Sequence, residues 1–450
     1  MSTMNAVLRE LRATLLLAVP ITIGQLSQML MGVTDSVMIG RTGTVPLAAS
    51  SFGVGVFNVF FLVGVGLLTP VSVFASRSRG AGRHDEAGEY LRHGLLLAFV
   101  FGTAGISFVF LLGRHLEWFH QPPEVVAAVN PFLFLIGGSL LPVLVYLALR
   151  QFAESMGRPW VPTLIIFCGV MLNVFMNWVL IYGHLGFPSL GLTGAGISTL
   201  FSRTLGSALI FLWLRMDPKM RAAWPSRWFA PISLPRLRRM LGVGLPAAGC
   251  LLFEGGAFAA ATVMMGWLGS AALAAHQIAL SCAAMTFMAP LALSMAVGMR
   301  ISSAVGSGEH TRLRPIWLGG AGAGFVVSLA MTVAFLAYGR QIAGFFVQDT
   351  GVISTAPRLL VVAAVFQIFD GGQVIHSAAL RGLTDVRMPA AITFVAYWVV
   401  ALPLAYLFGI RGTLGPQGIW IGLAVGLAVA AILLGHRFLR LSREGVAHTH

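Results

Sequence analysis

The chain has 450 residues, of which 57% are hydrophobic and only 10% are charged, and its mean hydropathy is +0.86. About a quarter of the residues of a soluble globular protein are charged, so this composition excludes a soluble core with a solvated surface. The formal net charge of +14 does not indicate nucleic-acid binding, because the basic residues, nearly all arginine, cluster in short segments between apolar runs.

The apolar runs predict an all-α polytopic membrane protein. Strands of a membrane barrel would alternate in hydrophobicity over short segments, whereas these runs are long and unbroken. A transmembrane helix needs about 20 apolar residues, and twelve stretches meet this requirement. The first run is too long for a signal peptide, so we interpret it as a transmembrane helix. Helices 1 to 12 are predicted near residues 13–38, 46–72, 93–112, 130–149, 160–182, 193–214, 240–267, 273–299, 316–338, 354–379, 388–409 and 416–438.

Helix 1 carries an acid within the predicted membrane span. Gln25, Gln28 and Asp35 are spaced so that they lie along one face of a helix. Two other acids lie well inside predicted helices, Glu254 on helix 7 and Asp370 on helix 10. A carboxylate at the bilayer centre costs about 2.5–3.5 kcal/mol on insertion scales and is tolerated where it faces protein or water. An acid that can load a proton or a sodium ion is the minimum requirement of an ion-coupled carrier.

Helices 5 and 6 add polar side chains at helical spacing. Asn173 and Asn177 are four residues apart on helix 5, and Thr199 and Arg203 are four residues apart on helix 6. An amide pair in a membrane helix often only joins helices through hydrogen bonds, so that alternative stays open. A structural ion pair is the alternative for the acids. Only Arg203 is predicted at a comparable depth, so at most one acid can pair with it.

Basic residues predict the orientation of the chain. With the N-terminus inside, the inside segments carry about 23 basic residues and the outside segments about five, which is the bias of cytoplasmic loops. The longest connection, residues 215–239, contains seven of them and is predicted to be a cytoplasmic linker. We therefore expect both termini in the cytoplasm.

The two halves of the chain repeat one another. Pro20 aligns with Pro246, and "PLAAS" at 46–50 aligns with "ALAAH" at 272–276, both at an offset of 226 residues. Six helices is an even number, so both halves enter the membrane in the same sense and form two pseudo-symmetric six-helix lobes. The predicted domains are an N-lobe at 1–214 with helices 1–6, the basic linker at 215–239, and a C-lobe at 240–450 with helices 7–12 and a short cytoplasmic tail.

The acids of helices 7 and 10 have similar surroundings. Glu254 lies in "LLFEGGAFAA" (251–260) and Asp370 lies in "FQIFDGGQVI" (366–375), each followed by two glycines. Acids and aromatic rings together attract cations, since a ring face adds a cation–π interaction. The sequence therefore predicts a cleft that suits organic cations of varied shape and suits anions poorly. Close helix packing is the alternative reason for the paired glycines.

Three further stretches resemble the multidrug and toxic compound extrusion (MATE) family: "VTDSVMIGRTGTVPLAAS" (33–50), "LNVFMNWVLIYG" (172–183) and "GLTGAGIST" (191–199). The resemblance covers essentially the whole chain and is greatest to the NorM-like bacterial branch. It implies a two-lobed antiporter of the cell inner (plasma) membrane that exports cationic amphipathic compounds in exchange for Na⁺ or H⁺. Its partners would be small-molecule organic cations and membrane lipid, without a cofactor, and a monomer suffices for the mechanism.

The resemblance, the polar stripe and the aromatic rings together suggest site residues. The cation-coupling residues would be Asp35, Asn173, Asn177, Thr199, Glu254 and Asp370. The substrate-binding residues would be Gln28, Glu254, Phe258, Phe366 and Asp370. A sodium ion would bind at Asp35, Asn173 and Thr199, or at Glu254 and Asp370. Asn177 stands where some members have Asp, and Phe366 stands where related sequences have Tyr, so the N-lobe has one charge fewer and the C-lobe site lacks a hydroxyl.

Two other functions compete with this expectation. A lipid-linked precursor flippase of similar architecture would handle anionic phosphates and would need a basic cleft, whereas the predicted cleft is acidic. A membrane-embedded enzyme would need a nucleophile, a base or a metal set, and no such set of His, Cys or Ser stands out within the predicted helices. We therefore predict that the protein is not an enzyme.

Overall fold

The computed structural model describes residues 3–119, 122–225, 228–346 and 350–443. Within these ranges the regular structure is entirely helical, and twelve helices are long and apolar enough to cross a membrane. The prediction of an all-α polytopic membrane protein is thus confirmed. The spanning helices are helix 1 (Thr3–Gly40), helix 2 (Thr44–Gly80), helix 3 (His84–Gly113), helix 4 (Pro123–Gly138 and Leu140–Ser155), helix 5 (Trp160–Tyr182), helix 6 (Gly191–Met216), helix 7 (Leu234–Trp267), helix 8 (Ser270–Gly306), helix 9 (Leu313–Phe346), helix 10 (Thr350–Gly382), helix 11 (Arg387–Phe394, Val395–Ala401, Leu402–Tyr406 and Leu407–Arg411) and helix 12 (Pro416–Arg443).

Several helices extend beyond the apolar runs from which they were predicted. Helix 2 continues through Arg77 and Arg79 in its last turn, and helix 3 begins with a turn that contains Asp85 and Glu86. Basic residues near a helix C-terminus and acidic residues near an N-terminus complement the helix dipole. The charged ends therefore favour the helical conformation, although a search for apolar residues alone does not include them in the helix.

The helices form two compact units, each described here by itself. One unit runs Ile23–Ala248, and the other contains the chain up to Thr22 together with the chain from Gly249 onward. We call the first unit the N-unit and the second unit the C-unit. The division falls inside helix 1 and inside helix 7, so it differs from the predicted lobe boundaries at 214 and 240.

The first half of helix 1 is fastened within the C-unit by a buried acid. Glu10 is 2% exposed, and its carboxylate accepts hydrogen bonds from Arg300 and from Arg312, the latter with an Nε–Oε1 distance of 2.9 Å. Ile21 packs against Ala292 and Met299 in the same unit. The sequence repeat shows where the halves begin, but these contacts decide with which bundle the helix start packs.

The first half of helix 7 packs correspondingly within the N-unit. A Cβ atom at Gly66 on helix 2 would lie 2.3 Å from the Cα atom of Ala248, so the two helices approach backbone to backbone. Arg236 Nη1 donates a hydrogen bond to Glu89 Oε2 at 3.2 Å and lies over the Tyr90 ring. The first half of helix 7 thus packs within the N-unit, a feature that the repeat offset does not reveal.

Helix 11 contains two wide-turn π segments. One of them, Val395–Ala401, brings the Tyr397 side chain into the main core of the C-unit, where it is fully buried. Trp398 in the same segment donates its indole N–H to the carbonyl oxygen of Phe253 on helix 7 at 3.0 Å. Short π segments inside helices often occur at functional sites, and this one lies against the helix 7 turn that carries Glu254.

Candidate functional site

The N-unit encloses a cavity of about 510 Å³ lined by helices 1, 2, 4, 5 and 6. Its walls are mostly apolar, with rings such as Phe57 and Phe61 and several small residues. Asp35 and Arg203 are the only charged side chains among the described residues that line it. A large apolar cavity with a few convergent polar groups is the usual form of a small-molecule site.

Asp35 is held by the amide pair of helix 5. Asn177 Nδ2 donates to Asp35 Oδ1 at 2.5 Å and to Asn173 Oδ1 at 3.2 Å. Asn173 and Asn177 are both fully buried, and the Asn173 Nδ2 and Asn177 Oδ1 atoms have no hydrogen-bond partner among the described residues. The predicted residues Asp35, Asn177 and Asn173 therefore form a chain of direct contacts, with two polar atoms left unsatisfied.

Thr199 and Gln28 line the same cavity as Asp35. Asn173 does not belong to the lining and reaches Asp35 through Asn177. The structure thus brings the predicted N-lobe residues together in one unit. Gln28, however, lies in the N-unit, whereas the other four predicted substrate-binding residues lie in the C-unit.

Arg203 reaches the cavity from helix 6. Its Nη1 donates to Ser139 Oγ at 2.6 Å, and its guanidinium carbon lies 4.5 Å from the centre of the Phe57 ring. Ser139 marks the break between the two parts of helix 4, where the chain leaves the regular helix. Arg203 also interacts electrostatically with Asp35, so the acid of this cavity has a basic neighbour.

The acids of helices 7 and 10 are brought together in the C-unit. Glu254 and Asp370 interact electrostatically with each other, and Asp370 is 8% exposed. In the described part of the chain neither carboxylate forms an ion pair with Arg381, although the Arg381 charge acts on Glu254; Arg381 Nη1 donates instead to Ser377 Oγ at 3.0 Å. The group therefore contains two acids and one arginine, so its acidic groups outnumber its basic group.

Unsatisfied polar atoms accompany these acids. The Tyr397 hydroxyl interacts electrostatically with Glu254 and Asp370, and it is buried without a hydrogen-bond partner among the described residues. The Gln373 Oε1 atom, one turn from Asp370 on helix 10, is also buried without a hydrogen-bond partner among the described residues. Carboxylate, amide and hydroxyl oxygens are the ligands that hard cations prefer. The chemistry of this donor set therefore suits a small cation or a proton.

The paired glycines serve close helix contacts. A Cβ atom at Gly256 would lie 3.0 Å from the Trp398 indole, and one at Gly371 would lie 2.7 Å from Ser328 Oγ. Small residues let the neighbouring elements of helices 7 and 10 approach the turn that carries each acid. The packing interpretation, left open from the sequence, accounts for these two glycines.

Phe366, a predicted substrate contact, lies in the core of the C-unit. It is 1% exposed, and its ring packs edge-on against Phe258 at 5.9 Å and against Trp420 at 5.5 Å. Its side chain belongs to the core of the C-unit, with Phe258 partly buried beside it. The physical reason is helix 12, whose Trp420 covers the ring, and no sequence pattern places helix 12 there.

Two further residues near the acid pair, Tyr397 and Arg381, are not predicted from the sequence. Tyr397 lies in an apolar run without a polar neighbour, and its position depends on the π segment of helix 11. The predicted helices 4 and 10 end just before Arg150 and Arg381, yet Arg150 is 3% exposed and Arg381 is partly buried at the end of helix 10. The expectation that Arg203 is the only deep basic residue is therefore wrong. The repeated "LR" pair at 149–150 and 380–381 was the available signal.

Comparisons with known proteins agree with the fold and the repeat. The MatE family model matches residues 20–179 and again residues 246–407, beginning at Pro20 and at Pro246. The chain is similar to the probable multidrug resistance protein NorM of Xylella fastidiosa, with 35% identity over 97% of this chain and 93% of the relative. It is 31% identical to the multidrug resistance protein NorM of Photobacterium profundum, over 95% of each chain.

Solved structures share the fold. An outward-facing conformation of a multidrug resistance MATE family transporter of the MOP superfamily matches with a TM-score of 0.91 at 21% identity, over 98% of this chain and 97% of that chain. The eukaryotic MATE transporter AtDTX14 matches with a TM-score of 0.87 at 19% identity, over 98% of this chain and 99% of that chain. Together with the two matches of the family model, these structures confirm two pseudo-symmetric lobes of six helices.

Proposed function

Because the chain belongs to the MatE family, we propose that it is a secondary active antiporter that exports cationic amphipathic drugs and other toxic organic compounds in exchange for Na⁺ or H⁺. The family consists of transporters, not enzymes, and the chain has the twelve apolar helices of a multi-pass membrane protein. The relatives named as multidrug resistance proteins support small-molecule efflux. They do not favour the flippase alternative.

The pair formed by Glu254 and Asp370 carries this proposal. Both acids lie inside spanning helices of one unit, next to an unsatisfied hydroxyl group, and together they outnumber the single arginine charge beside them. Two acids that only stabilised the fold would be expected to pair with basic groups, because an unpaired buried charge is costly. Two acids with a single arginine beside them therefore support a group that binds a transported cation.

Exchange follows from competition for the same negative charge. An organic cation held by the acid pair neutralises it, and so does a sodium ion or a proton. Holding both together would bury an excess of positive charge, which the low dielectric of the site disfavours. Loading one cation therefore favours release of the other, and this is the thermodynamic requirement of antiport.

The remaining assignments are proposals of the same kind. The cluster of Asp35, Asn173, Asn177 and Thr199 is a second candidate for cation coupling, and Gln28 and Phe258 are candidate contacts of the organic compound. The excess of basic residues in the segments predicted to be inside supports a multi-pass protein of the cell inner membrane with both termini in the cytoplasm. A monomer suffices, since each cluster is built within one chain.

Export from proteoliposomes tests the function. The purified full-length chain is reconstituted with a lipophilic organic cation, tetraphenylphosphonium, and a sodium gradient and a pH gradient are imposed separately. We expect one of the two gradients to drive export of tetraphenylphosphonium by the wild-type protein. Asp370→Asn and Glu254→Gln should each abolish gradient-driven export, because the neutral amides cannot exchange one cation for another.

The matched control is Asp85→Asn. Asp85 is an exposed acid in the first turn of helix 3, outside both clusters, so its loss should leave export unchanged. Equal amounts of inserted protein and equal unfolding temperatures ensure that the comparison reports transport. Full gradient-driven export by both acid variants would overturn the proposal.

A further inference from the structure

Two charges of opposite sign line the N-unit cavity, and no other described charged residue does. Asp35 enters from helix 1 and Arg203 from helix 6, and their charges interact. The C-unit cluster differs, since it combines two acids with one arginine. The N-unit cavity thus has one acid for one arginine, whereas the C-unit cluster has two acids for one arginine.

Arg203 is fixed in the cavity wall. The Ser139 hydroxyl accepts a hydrogen bond from Nη1 at 2.6 Å, and Phe57 lies beneath the guanidinium at 4.5 Å. A hydroxyl oxygen and a ring face position the guanidinium without neutralising it. The guanidinium thus keeps its charge and acts electrostatically on Asp35, with which it forms no direct ion pair among the described residues.

The amide pair of helix 5 presents a hydrogen-bond donor to Asp35, as it would beside a carboxylate that needs no metal ion. Asn177 presents its Nδ2 donor to Asp35 at 2.5 Å, whereas its Oδ1 atom has no partner among the described residues. A bound cation would need amide oxygens facing it, as carbonyl oxygens ligate hard cations. Asn177 also supplies no second negative charge to offset the arginine.

We propose that Arg203 is a tethered cation that takes the place of a transported metal ion at Asp35, so that the N-unit cavity excludes sodium. This inference rests on the proposed antiport function, because it decides where the coupling cation can bind. The guanidinium supplies a permanent positive charge that cannot be exported. A sodium ion entering beside it would bury a second positive charge against a single acid. A coupling sodium ion is left with the acid pair of the C-unit, whereas a proton can still load Asp35.

The inference predicts a gain of binding, which a merely structural arginine would not give. In an Asp370→Asn background, where the C-unit site is disabled, Arg203→Gln should create sodium binding at Asp35. Loss of a nearby unit charge should tighten sodium binding on the order of 100-fold. Glutamine can still donate a hydrogen bond to Ser139, so the helix 4 to helix 6 contact is kept while the charge is lost.

Radioactive ²²Na⁺ is the probe, in equilibrium binding to the purified full-length protein. The gained binding should disappear when Asp35→Asn is added to the double variant. Arg203→Lys in the Asp370→Asn background keeps the charge and should bind no added sodium. Arg203→Met serves as a second neutral variant, and an intact size-exclusion profile with cooperative unfolding identifies the folded samples.

The outcomes separate this inference from the function on which it rests. If folded Arg203→Gln and Arg203→Met samples gain no sodium binding, or if the gain persists without Asp35, the tethered-cation role is overturned. Failure of the proposed antiport would instead appear in the first comparison, as export that is insensitive to Asp370→Asn in an otherwise wild-type chain. Gain of Asp35-dependent sodium binding in the neutral variants supports the role.

Discussion

Tyr397 carries a hydroxyl group that lies beside two acids and has no hydrogen-bond partner among the described residues. In a core, a buried hydroxyl without a partner is unfavourable, because it loses its hydrogen bonds with water. Such a group persists more readily where a ligand satisfies it. Tyr397 provides a hydroxyl group near the acid pair from helix 11.

Tyr397→Phe should therefore separate function from stability. We expect the midpoint of unfolding to stay the same or rise, since the hydroxyl forms no bond to be lost. Gradient-driven tetraphenylphosphonium export should need a several-fold higher concentration of the coupling ion for its half-maximal rate. Unfolding followed by tryptophan fluorescence and export from proteoliposomes measure the two effects.

Tyr182→Phe is the contrasting control for that variant. The Tyr182 hydroxyl donates to the carbonyl oxygen of Met38 at 2.9 Å. Its removal should lower the free energy of unfolding by about 0.5–1.5 kcal/mol and leave the ion dependence unchanged. The same ion dependence in wild-type protein and in Tyr397→Phe would remove Tyr397 from the site.

At the scale of helices, close approach depends on glycine. Helix 2 contacts the first half of helix 7 at Gly66, where an added Cβ would lie 2.3 Å from the Ala248 backbone. Gly55 on the same helix has open space, with nothing within 4 Å of an added Cβ. Gly66 and Gly55 lie on the same helix, but only Gly66 has a close tertiary contact. Alanine substitutions at the two positions can therefore be compared directly.

Gly66→Ala should lower the free energy of unfolding by about 1–3 kcal/mol, because the new methyl group forces two packed backbones apart. Gly55→Ala should leave stability unchanged or raise it, since alanine favours the helix and meets no neighbour. Thermal unfolding of the two variants in the same detergent measures both changes in stability. Equal stability of the two variants would contradict the packing of helix 7 on helix 2.

Much of this architecture follows from the sequence because its cause is local. Long apolar runs give the number of spanning helices, and the offset between Pro20 and Pro246 gives the repeat. The packing of the first parts of helices 1 and 7 has no such local cause. It depends on contacts far apart in the chain, such as Glu10 with Arg312, and the apolar pattern does not specify them.

The candidate site, like the fold, could be predicted only where its cause is local. An acid inside an apolar run is conspicuous, so Asp35, Glu254 and Asp370 were found, and the structure brings the last two together. Burial of Phe366 under Trp420 and the position of Tyr397 depend on how helices 11 and 12 pack. Aromatic residues are frequent in any membrane helix, so their types alone do not distinguish a core ring from a site ring.

For the whole molecule, each repeat contributes one acidic cluster, and the two clusters are charged differently. The N-unit cavity contains one acid and one arginine, and the C-unit cluster contains two acids and one arginine. The two halves of a duplicated chain thus need not have the same function. Under the two proposals above, one half carries a fixed charge, while the other half exchanges a sodium ion at Glu254 and Asp370.

Competition between the two cations for the acid pair tests this account most directly. Tetraphenylphosphonium binding to the purified wild-type protein is titrated at increasing sodium concentration and, separately, at decreasing pH. We expect one of these ions to weaken binding of the organic cation progressively, and we expect Asp370→Asn to abolish that competition. Independent binding of the organic cation and both ions in the wild-type protein would contradict exchange at the acid pair.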